Sequence, residues 1–263
     1  MSEQQGGQAP APRRKQVALF VTCLADLFRP SVAFACIELL EQANCEVIVP
    51  DQQTCCGQPA YNSGDPDATV PLAKKEIALI EDYDYVVVPS GSSAAMITHH
   101  NPRLLEGEWR ESALDLAART FELTVFLKDI ARIKPRSKPL PDRPAVTYHD
   151  GCAGLRELGI KDQPRQLLHD LCGIEVKELQ QTEVCCGFGG TFCAKMPEIS
   201  GKMVNDKLDH ALDTGARVLA GGDLGCLLHI AGRALRRGDD IEVRHIVELL
   251  CNDMDTAAIG KEQ

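Results

Sequence analysis

Cysteines are the residues of this sequence best suited to chemistry, and they recur in one order. A lone cysteine follows a short apolar segment, and a Cys-Cys-Gly triplet comes later in the chain. The order occurs twice, as Cys23 with Cys55-Cys56-Gly57 and as Cys152 with Cys185-Cys186-Gly187. Equivalent positions lie 129 and 130 residues apart. The second copy continues to Cys226, whereas the first has Ser93 at the matching place, 133 residues earlier.

The adjacent cysteines favour an iron–sulfur cluster over a zinc ion. Common zinc sites take two thiolates that are two to four residues apart, so that one turn points both at a single tetrahedral ion. Neighbouring side chains diverge in a strand, and they lie about 100° apart around a helix. A cluster of several irons is wider, so two neighbouring thiolates can bind different irons. The glycine after each pair permits a tight turn.

The second copy therefore predicts a complete site, which we call the second cysteine set: Cys152, Cys185, Cys186 and Cys226. The first cysteine set consists of Cys23, Cys55 and Cys56, with Ser93 in the fourth position. A hydroxyl forms an anion far less readily than a thiol does near neutral pH. The first set is thus either empty, or the place of an incomplete cluster, or a site with one iron open to another group.

Three further residues are candidate accessories of the second set. Cys193 follows Cys186 by seven residues, and His229 follows Cys226 by three, a spacing that puts both on one helical face. His149 comes three residues before Cys152, where it could act as a hydrogen-bond donor or proton carrier. The four remaining cysteines lie in or beside apolar stretches and are interpreted as core residues: Cys36, Cys45, Cys172 and Cys251.

Composition argues against two classes of binding partner and indicates the cellular compartment. A net charge of −10 and a pI near 5.2 argue against nucleic acid or an anionic membrane as the main partner. Residues 1–14 contain no apolar segment of a signal peptide, and no apolar run approaches the ~20 residues of a membrane span. We therefore expect a cytoplasmic protein, in which many thiols indicate metal or redox chemistry more than disulfides.

The elements that must position these cysteines alternate between strand and helix. Strands are expected at 17–22, 45–49 and 84–89 in the first half, and at 145–149, 174–179, 216–220 and 241–244 in the second. Helices are expected at 31–43, 67–82, 93–100, 109–131, 162–171, 197–214 and 224–236. Alternation predicts an α/β fold of two repeated three-layer halves with parallel sheets. Cluster sites are then expected at the carboxyl ends of the strands, near the interface between the halves.

The predicted domain organisation follows from the repeat. Residues 1–15 are expected to be a disordered tail, 16–133 the first repeat, 134–144 a proline-rich linker, 145–252 the second repeat and 253–263 a C-terminal tail. In the second repeat, helix 197–214 is predicted to turn Met196, Ile199, Met203 and Leu208 inward and to be closed by Gly215.

The duplicated pattern resembles the cysteine-rich, or CCG, domain family. The resemblance covers residues 16–250 and rests on Thr54-Cys-Cys-Gly-Gln-Pro59 and Val184-Cys-Cys-Gly-Phe-Gly-Gly-Thr-Phe192. Within the family, Val21-Thr-Cys-Leu-Ala-Asp-Leu-Phe28 and Val88-Pro-Ser-Gly-Ser92 are similar to the lactate utilisation protein A branch. Relatives of that branch include the iron–sulfur subunit of glycolate oxidase and the B subunit of heterodisulfide reductase.

The resemblance implies a function and partners. It implies cluster-binding cysteines in both sets, with a cluster of the 4Fe-4S type expected on the second. It also implies a subunit of an oxidoreductase complex that converts L-lactate, or a similar 2-hydroxy acid such as glycolate, to the 2-oxo acid. The implied partners are a ferredoxin-like iron–sulfur subunit and a third subunit.

Two departures from the family keep other functions open. The family has cysteine where this chain has Ser93, and the heterodisulfide reductase relatives end each motif with Cys-x-x-Cys, where this chain has Ser93-x-x-Met96 and Cys226-x-x-His229. The alternatives are a heterodisulfide-reductase-like subunit, and a zinc-containing or metal-free structural subunit with a degenerate first site. A thiol–disulfide enzyme using Cys185, Cys186 or Cys193 is a third.

Overall fold

Residues 13–136 and 143–261 are described by a computed structural model, and they form two four-stranded sheets. The first sheet contains β1 (Lys15–Leu19), β2 (Cys45–Ile48), β3 (Tyr85–Val88) and β4 (Thr120–Glu122), in the order β2-β1-β3-β4. The second contains β5 (Val146–His149), β6 (Val176–Lys177), β7 (Val218–Gly221) and β8 (Glu242–His245), in the order β6-β5-β7-β8. Every pairing is parallel, so the two sheets repeat one topology.

Helices connect the strands of the first half. These are α1 (Cys23–Phe28), α2 (Pro30–Gln42), α3 (Gln58–Asn62), α4 (Pro66–Ile80), α5 (Gly91–Ala95), α6 (Asn101–Leu104), α7 (Gly107–Ala118) and α8 (Leu123–Val125). Two π-helical turns, π1 (Met96–His100) and π2 (Phe126–Ile130), continue α5 and α8.

The second half has the corresponding connections. They are α9 (Cys152–Arg156), α10 (Asp162–Leu167), α11 (Phe192–Lys195), α12 (Pro197–Asp213), α13 (Leu224–Arg237) and α14 (Ile246–Leu250), with π3 (Leu168–Cys172) continuing α10. Among the described residues, no helix combines the length and the apolar character that crossing a membrane requires.

Burial on both faces of the first sheet confirms the three-layer α/β fold. Val17 and Leu19 belong to the hydrophobic cluster that includes residues of α2, whereas Ala18 belongs to the cluster that includes residues of α4 and α7. Alternate side chains of a strand point to opposite faces, so both faces are covered by helices, as a parallel sheet requires. The first of these clusters extends into the second half, so the halves share a continuous core.

The helix starts that sequence predicts are formed by recognisable caps. Asp65 precedes α4, its carboxylate accepts from the Ala68 N–H at 3.0 Å, and Pro66 occupies the first turn. The C-terminal end of α12 is also as predicted: Gly215, two residues after the helix ends, adopts φ +63°. This left-handed conformation suits glycine and closes the helix.

Two predictions about secondary structure and packing are wrong. The single helix expected over 109–131 is interrupted by β4, whose three residues pair with β3, a stabilisation that no local pattern reveals. Met196 and Ile199 do not face the core; they are 52% and 56% exposed. Their places on the buried stripe of α12 are taken by Ser200 and Val204.

The domain boundaries remain predictions. Residues 1–12 of the expected N-terminal tail, 137–142 of the expected linker and 262–263 of the expected C-terminal tail lie outside the described residues. Of the described residues in these segments, Lys15 begins β1, and the Ile259 N–H donates to the Val243 carbonyl at 2.9 Å.

A buried carboxyl at the end of β4 predicts a pH dependence of stability. Glu122 accepts from the Thr124 N–H at 2.8 Å and faces Tyr148 and Asp223 of the second half. Burial raises its pKa to about 7 from an ordinary value of 4.5. The folded chain therefore holds this proton more tightly than the unfolded chain does. Stability should fall as pH rises from about 4.5 to 7, by up to about 3 kcal/mol for this group.

The variant E122Q tests this dependence, because an amide cannot ionise. Chemical denaturation of both proteins between pH 4.5 and 8 should show a difference in unfolding free energy that grows in favour of E122Q up to pH 7 and is constant above it. A difference that does not change with pH would contradict the assignment of the titration to Glu122.

Candidate metal centres at the strand ends

The first cysteine set assembles where β1, β2 and β3 end. Cys23 is the first residue of α1, directly after β1, and the N-cap hydroxyl of Thr22 accepts from the Ala25 N–H at 3.4 Å. Cys55 and Cys56 lie in the loop after β2. The Cys55 thiol lies beside those of Cys23 and Cys56, and the Cys56 Sγ donates to the Ser93 Oγ at 3.3 Å. All four positions are therefore joined side chain to side chain.

The second cysteine set repeats this arrangement in the second half. Cys152 begins α9 after β5, and Cys226 lies in the first turn of α13 after β7. The Cys152 thiol lies beside that of Cys185, Cys185 beside Cys186, and Cys186 beside Cys226, whose Sγ atoms are within 4.8 Å of each other. The set is thus one chain of four thiols, of which Cys186 and Cys226 are buried.

In each set, the first cysteine of the Cys-Cys-Gly triplet has a lowered pKa. Hydrogen bonds from Cys152 and Cys186 hold the pKa of Cys185 well below that of an ordinary thiol, and the Gly187 N–H adds a contact at 3.4 Å. Hydrogen bonds from Cys23 and Cys56, with one from Gly57, lower the pKa of Cys55 in the same way. The outer thiols Cys23 and Cys152 have raised pKa values because they donate to these anions and are partly desolvated.

Both Cys-Cys-Gly turns use a backbone conformation that favours glycine. Gly57 and Gly187 adopt φ +81° and +87°. A Cβ on Gly187 would lie 2.9 Å from the Ser200 carbonyl oxygen, too close for any real contact. The turn therefore packs directly against α12, which holds the paired cysteines in place.

His149 is the accessory residue that lies at the second set. It ends β5, is buried, and neither ring nitrogen has a hydrogen-bond partner among the described residues. One of its nitrogens and the Sγ atoms of Cys186 and Cys226 all lie within 4.8 Å of one another. Burial lowers the pKa of His149 to about 3, so the imidazole is neutral.

The two other accessory candidates have different partners. The His229 Nε2 lies 3.2 Å from the Ser200 Oγ, and its ring is 6.1 Å from that of Phe188. The Cys193 thiol lies in α11, where it donates to the Gly190 carbonyl at 3.8 Å. Cys193 takes no part in the hydrogen bonds that join the second set in the described chain.

The remaining cysteines lie apart from both sets. Cys36, Cys45 and Cys172 are buried in the core cluster of the first sheet's α2 face. Cys172 donates to the Leu249 carbonyl at 3.3 Å, and Cys251 donates to the Ala35 carbonyl at 3.5 Å. All twelve cysteines are within the described residues, and each is a free thiol.

Asp223 is a residue of the site that sequence reasoning missed. Its buried carboxylate accepts from the Ser92 N–H at 2.9 Å, from the Ser92 Oγ at 2.8 Å and from the Ser90 Oγ at 3.1 Å. The loop that carries Ser93 is thus held by a side chain three residues before Cys226. Asp223 lies at the end of a strand, which was a usable signal, but its partner is in the other half.

A cavity of about 120 Å³ lies against the first set. Its walls include Cys23, Cys55, Cys56 and Ser93, and the second half closes it with Phe188, Gly190, Leu224 and Gly225. Phe188 directly follows the second Cys-Cys-Gly triplet, and Gly225 directly precedes Cys226. The cavity at the first set is therefore closed by chain neighbours of the second set.

Comparison with known proteins agrees with this duplicated geometry. The cysteine-rich domain family, CCG, matches residues 17–98 and 146–231. Lactate utilization protein A of Geobacillus thermodenitrificans is 47% identical over 237 residues, which are 89% of this chain and 98% of that protein. The protein of the same name from Halalkalibacterium halodurans is 46% identical, over 89% of this chain and 96% of its own. Lactate utilization protein A 2 of Bacillus cereus is 42% identical, over 91% and 99%. The chain belongs to the cysteine-rich CCG domain family.

Proposed function

We propose that this chain is the iron–sulfur electron-transfer subunit of a cytoplasmic complex that takes part in lactate utilisation. The main support for this proposal is that four thiols, those of Cys152, Cys185, Cys186 and Cys226, come together at the ends of adjacent parallel strands. The names of the relatives, which align over nearly their full length, support the link to lactate. The compartment is proposed from the thiol content, which suits a reducing environment.

The residues present fit a cluster of the 4Fe-4S type. Four thiols match four irons, and the adjacent pair reaches different edges of a wide group better than it reaches one small ion. The orphaned nitrogens of His149 provide a second sign, because a buried polar atom without a partner costs about 1–3 kcal/mol. An anionic group bound by the thiols would give one of these nitrogens an acceptor. When bound, such a cluster supplies reversible one-electron transfer.

The chain's own groups account for binding and orientation. Its neighbours and the Gly187 N–H lower the pKa of Cys185, which favours the thiolate form that binds metal. Cys152 and Cys226 are carried at the starts of α9 and α13, whose positions the sheet determines. Electrons then enter and leave through partners, for which we propose a ferredoxin-like iron–sulfur subunit and a third subunit. The reaction of the complex would be oxidation of L-lactate, or of a similar 2-hydroxy acid such as glycolate, to the 2-oxo acid.

A zinc site is the second candidate, and one observation favours it. His149, Cys186 and Cys226 form a buried mixed nitrogen and sulfur donor group, a type that zinc binds well. A single ion there would leave Cys152 without a role. Metal analysis separates the two candidates.

The first prediction concerns metal content. Anaerobically purified protein should contain about four irons and an equal amount of acid-labile sulfide per chain. Replacing Cys152, Cys185, Cys186 or Cys226 by serine should abolish or destabilise the cluster, because a hydroxyl is a poor substitute for a thiolate. C251S is the matched control and should keep the iron, since Cys251 donates to a backbone carbonyl away from both sets. Stoichiometric zinc without sulfide would instead support the second candidate.

The second prediction concerns the reaction. In the complex purified intact and anaerobically, added L-lactate should bleach the visible absorption of the oxidised cluster. The C186S complex, assembled to the same extent, should show no such change at this site. Bleaching that is equal in both complexes would contradict an electron-transfer role for the second set.

The third prediction concerns Ser93. The Ser93 Oγ already lies 3.3 Å from the Cys56 Sγ, and the cavity beside it borders all three thiols of the first set. S93C should therefore complete a second four-thiol site and raise the iron content by about four per chain. T98C is the control, because Thr98 donates to the Ala94 carbonyl and does not border the cavity at the first set. An unchanged iron content in S93C would mean that Ser93 alone does not account for the difference between the halves.

A further inference from the structure

Helices α4 and α12 occupy equivalent places in the two halves, each packed behind its Cys-Cys-Gly turn. Their buried positions match one for one at a separation of 131 residues, as Thr69 with Ser200, Ala73 with Val204, Ile77 with Leu208, and Ile80 with Ala211. One further pair belongs to this stripe. It is Glu76 in the first half and Lys207 in the second, two charged residues of opposite sign in a buried position.

Lys207 brings a positive charge to the second set. Its side chain is 1% exposed, and its Nζ lies 3.3 Å and 3.4 Å from the carbonyl oxygens of Thr182 and Gln181. It forms no ion pair with any carboxylate of the chain as described in residues 13–136 and 143–261. Those two carbonyls lie four and three residues before Cys185, so the Nζ is at the segment that carries the Cys185-Cys186 pair. Burial lowers the pKa of Lys207, whereas Asp150 and the thiols of Cys185, Cys186 and Cys226 act in the opposite direction and favour its cationic form. Asp150 is itself paired with Arg165, at 2.9 Å.

Glu76 has the opposite effect at the first set. It is 1% exposed, and neither carboxyl oxygen has a hydrogen-bond partner among the described residues. Burial, with the neighbouring Cys55 thiol, raises the pKa of Glu76 well above its ordinary value, and its ionised form would repel thiolates at Cys55 and Cys56. A second position also differs between the halves. His149 ends β5, and its counterpart in the first half, 129 residues earlier, is the apolar Phe20. At two equivalent buried positions, the second half thus has nitrogen groups that stabilise an anion, and the first half has none.

We propose that Lys207 tunes the metal centre of the second set by stabilising its negative charge and raising its reduction potential. This inference rests on the proposed iron–sulfur function. Four thiolates make a bound cluster anionic, and one-electron reduction by an external donor adds one more negative charge to it. A buried cation near the thiols favours the reduced form because little solvent screens the attraction. Lys207 acts through the thiols and is a positioning residue rather than a ligand.

The test is a redox titration of the purified, cluster-containing protein, followed by visible absorption and electron paramagnetic resonance. In K207M the ratio of reduced to oxidised cluster at the wild-type midpoint should fall about tenfold, which is a shift of about 59 mV for a one-electron couple. K207R keeps the charge and should remain near the wild-type midpoint. An unchanged midpoint in K207M, or an equal fall in K207R, would overturn the proposal.

Two matched controls separate the charge of Lys207 from other effects. K202M removes a lysine from the same helix that is exposed and paired with Asp206 at 2.7 Å. E76Q removes the buried charge at the equivalent place in the other half. Both should leave the midpoint of the second-set cluster unchanged, and a shift in either as large as that of K207M would count against a specific role for Lys207.

Cluster content distinguishes the failure of this inference from that of the proposed function. If the wild type contains no iron and sulfide, the proposed function fails and the inference falls with it. If the wild type contains the cluster and K207M does not change its midpoint, only the inference fails. Should K207M lose the cluster, K207R must retain it, since loss of the cluster in both variants would show that packing rather than charge is what Lys207 provides.

Discussion

The close approach of thiols at the carboxyl ends of parallel strands is the constraint on which this molecule depends. In the second half they run from Cys152 through Cys185 and Cys186 to Cys226, across segments that are far apart in the chain. Thiols packed so closely raise one another's pKa values, and in this set Cys185 is the thiol whose pKa is lowered. A shared positive partner, such as a group of irons, would allow all four to be thiolates at once. The sheets, the glycine turns and the helix starts can all be understood as means of holding these four atoms together.

The duplication makes the molecule its own comparison. The topology, the glycine turns and the buried stripe of the helix behind each turn are repeated, while the chemistry of the two sites has diverged. Three equivalent positions differ. The second half has Cys226, His149 and Lys207, where the first half has Ser93, Phe20 and Glu76, respectively. Each difference removes from the first half a group that would bind or stabilise an anionic cluster. The two halves nevertheless remain joined, since Asp223 of the second half holds the Ser90–Ser92 loop of the first.

Much of the fold and the positions of both cysteine sets could be predicted, because short local motifs identify the repeat. Cys-Cys-Gly, the apolar strands and the Asp65-Pro66 helix start each carry their own signal, and the strand-end rule then places the cysteines together. The strand Thr120–Glu122 could not be found this way, because three residues gain their structure from pairing with a distant strand. Ile199 is misplaced because the buried stripe of α12 begins at Ser200, and Met196 because it is the N-cap residue that precedes the helix. Glu76 and Lys207 were missed because charged residues are normally exposed, although they follow their Cys-Cys-Gly turns at nearly the same distance, 19 and 20 residues after the glycine.

The central claim is that Cys152, Cys185, Cys186 and Cys226 together hold an iron–sulfur cluster. Anomalous scattering from an anaerobically grown crystal, measured on both sides of the iron and zinc absorption edges, tests it most directly. The account predicts an iron peak of several atoms within bonding distance of all four Sγ atoms. A single zinc peak between His149, Cys186 and Cys226, or no metal peak beside these thiols, would contradict it.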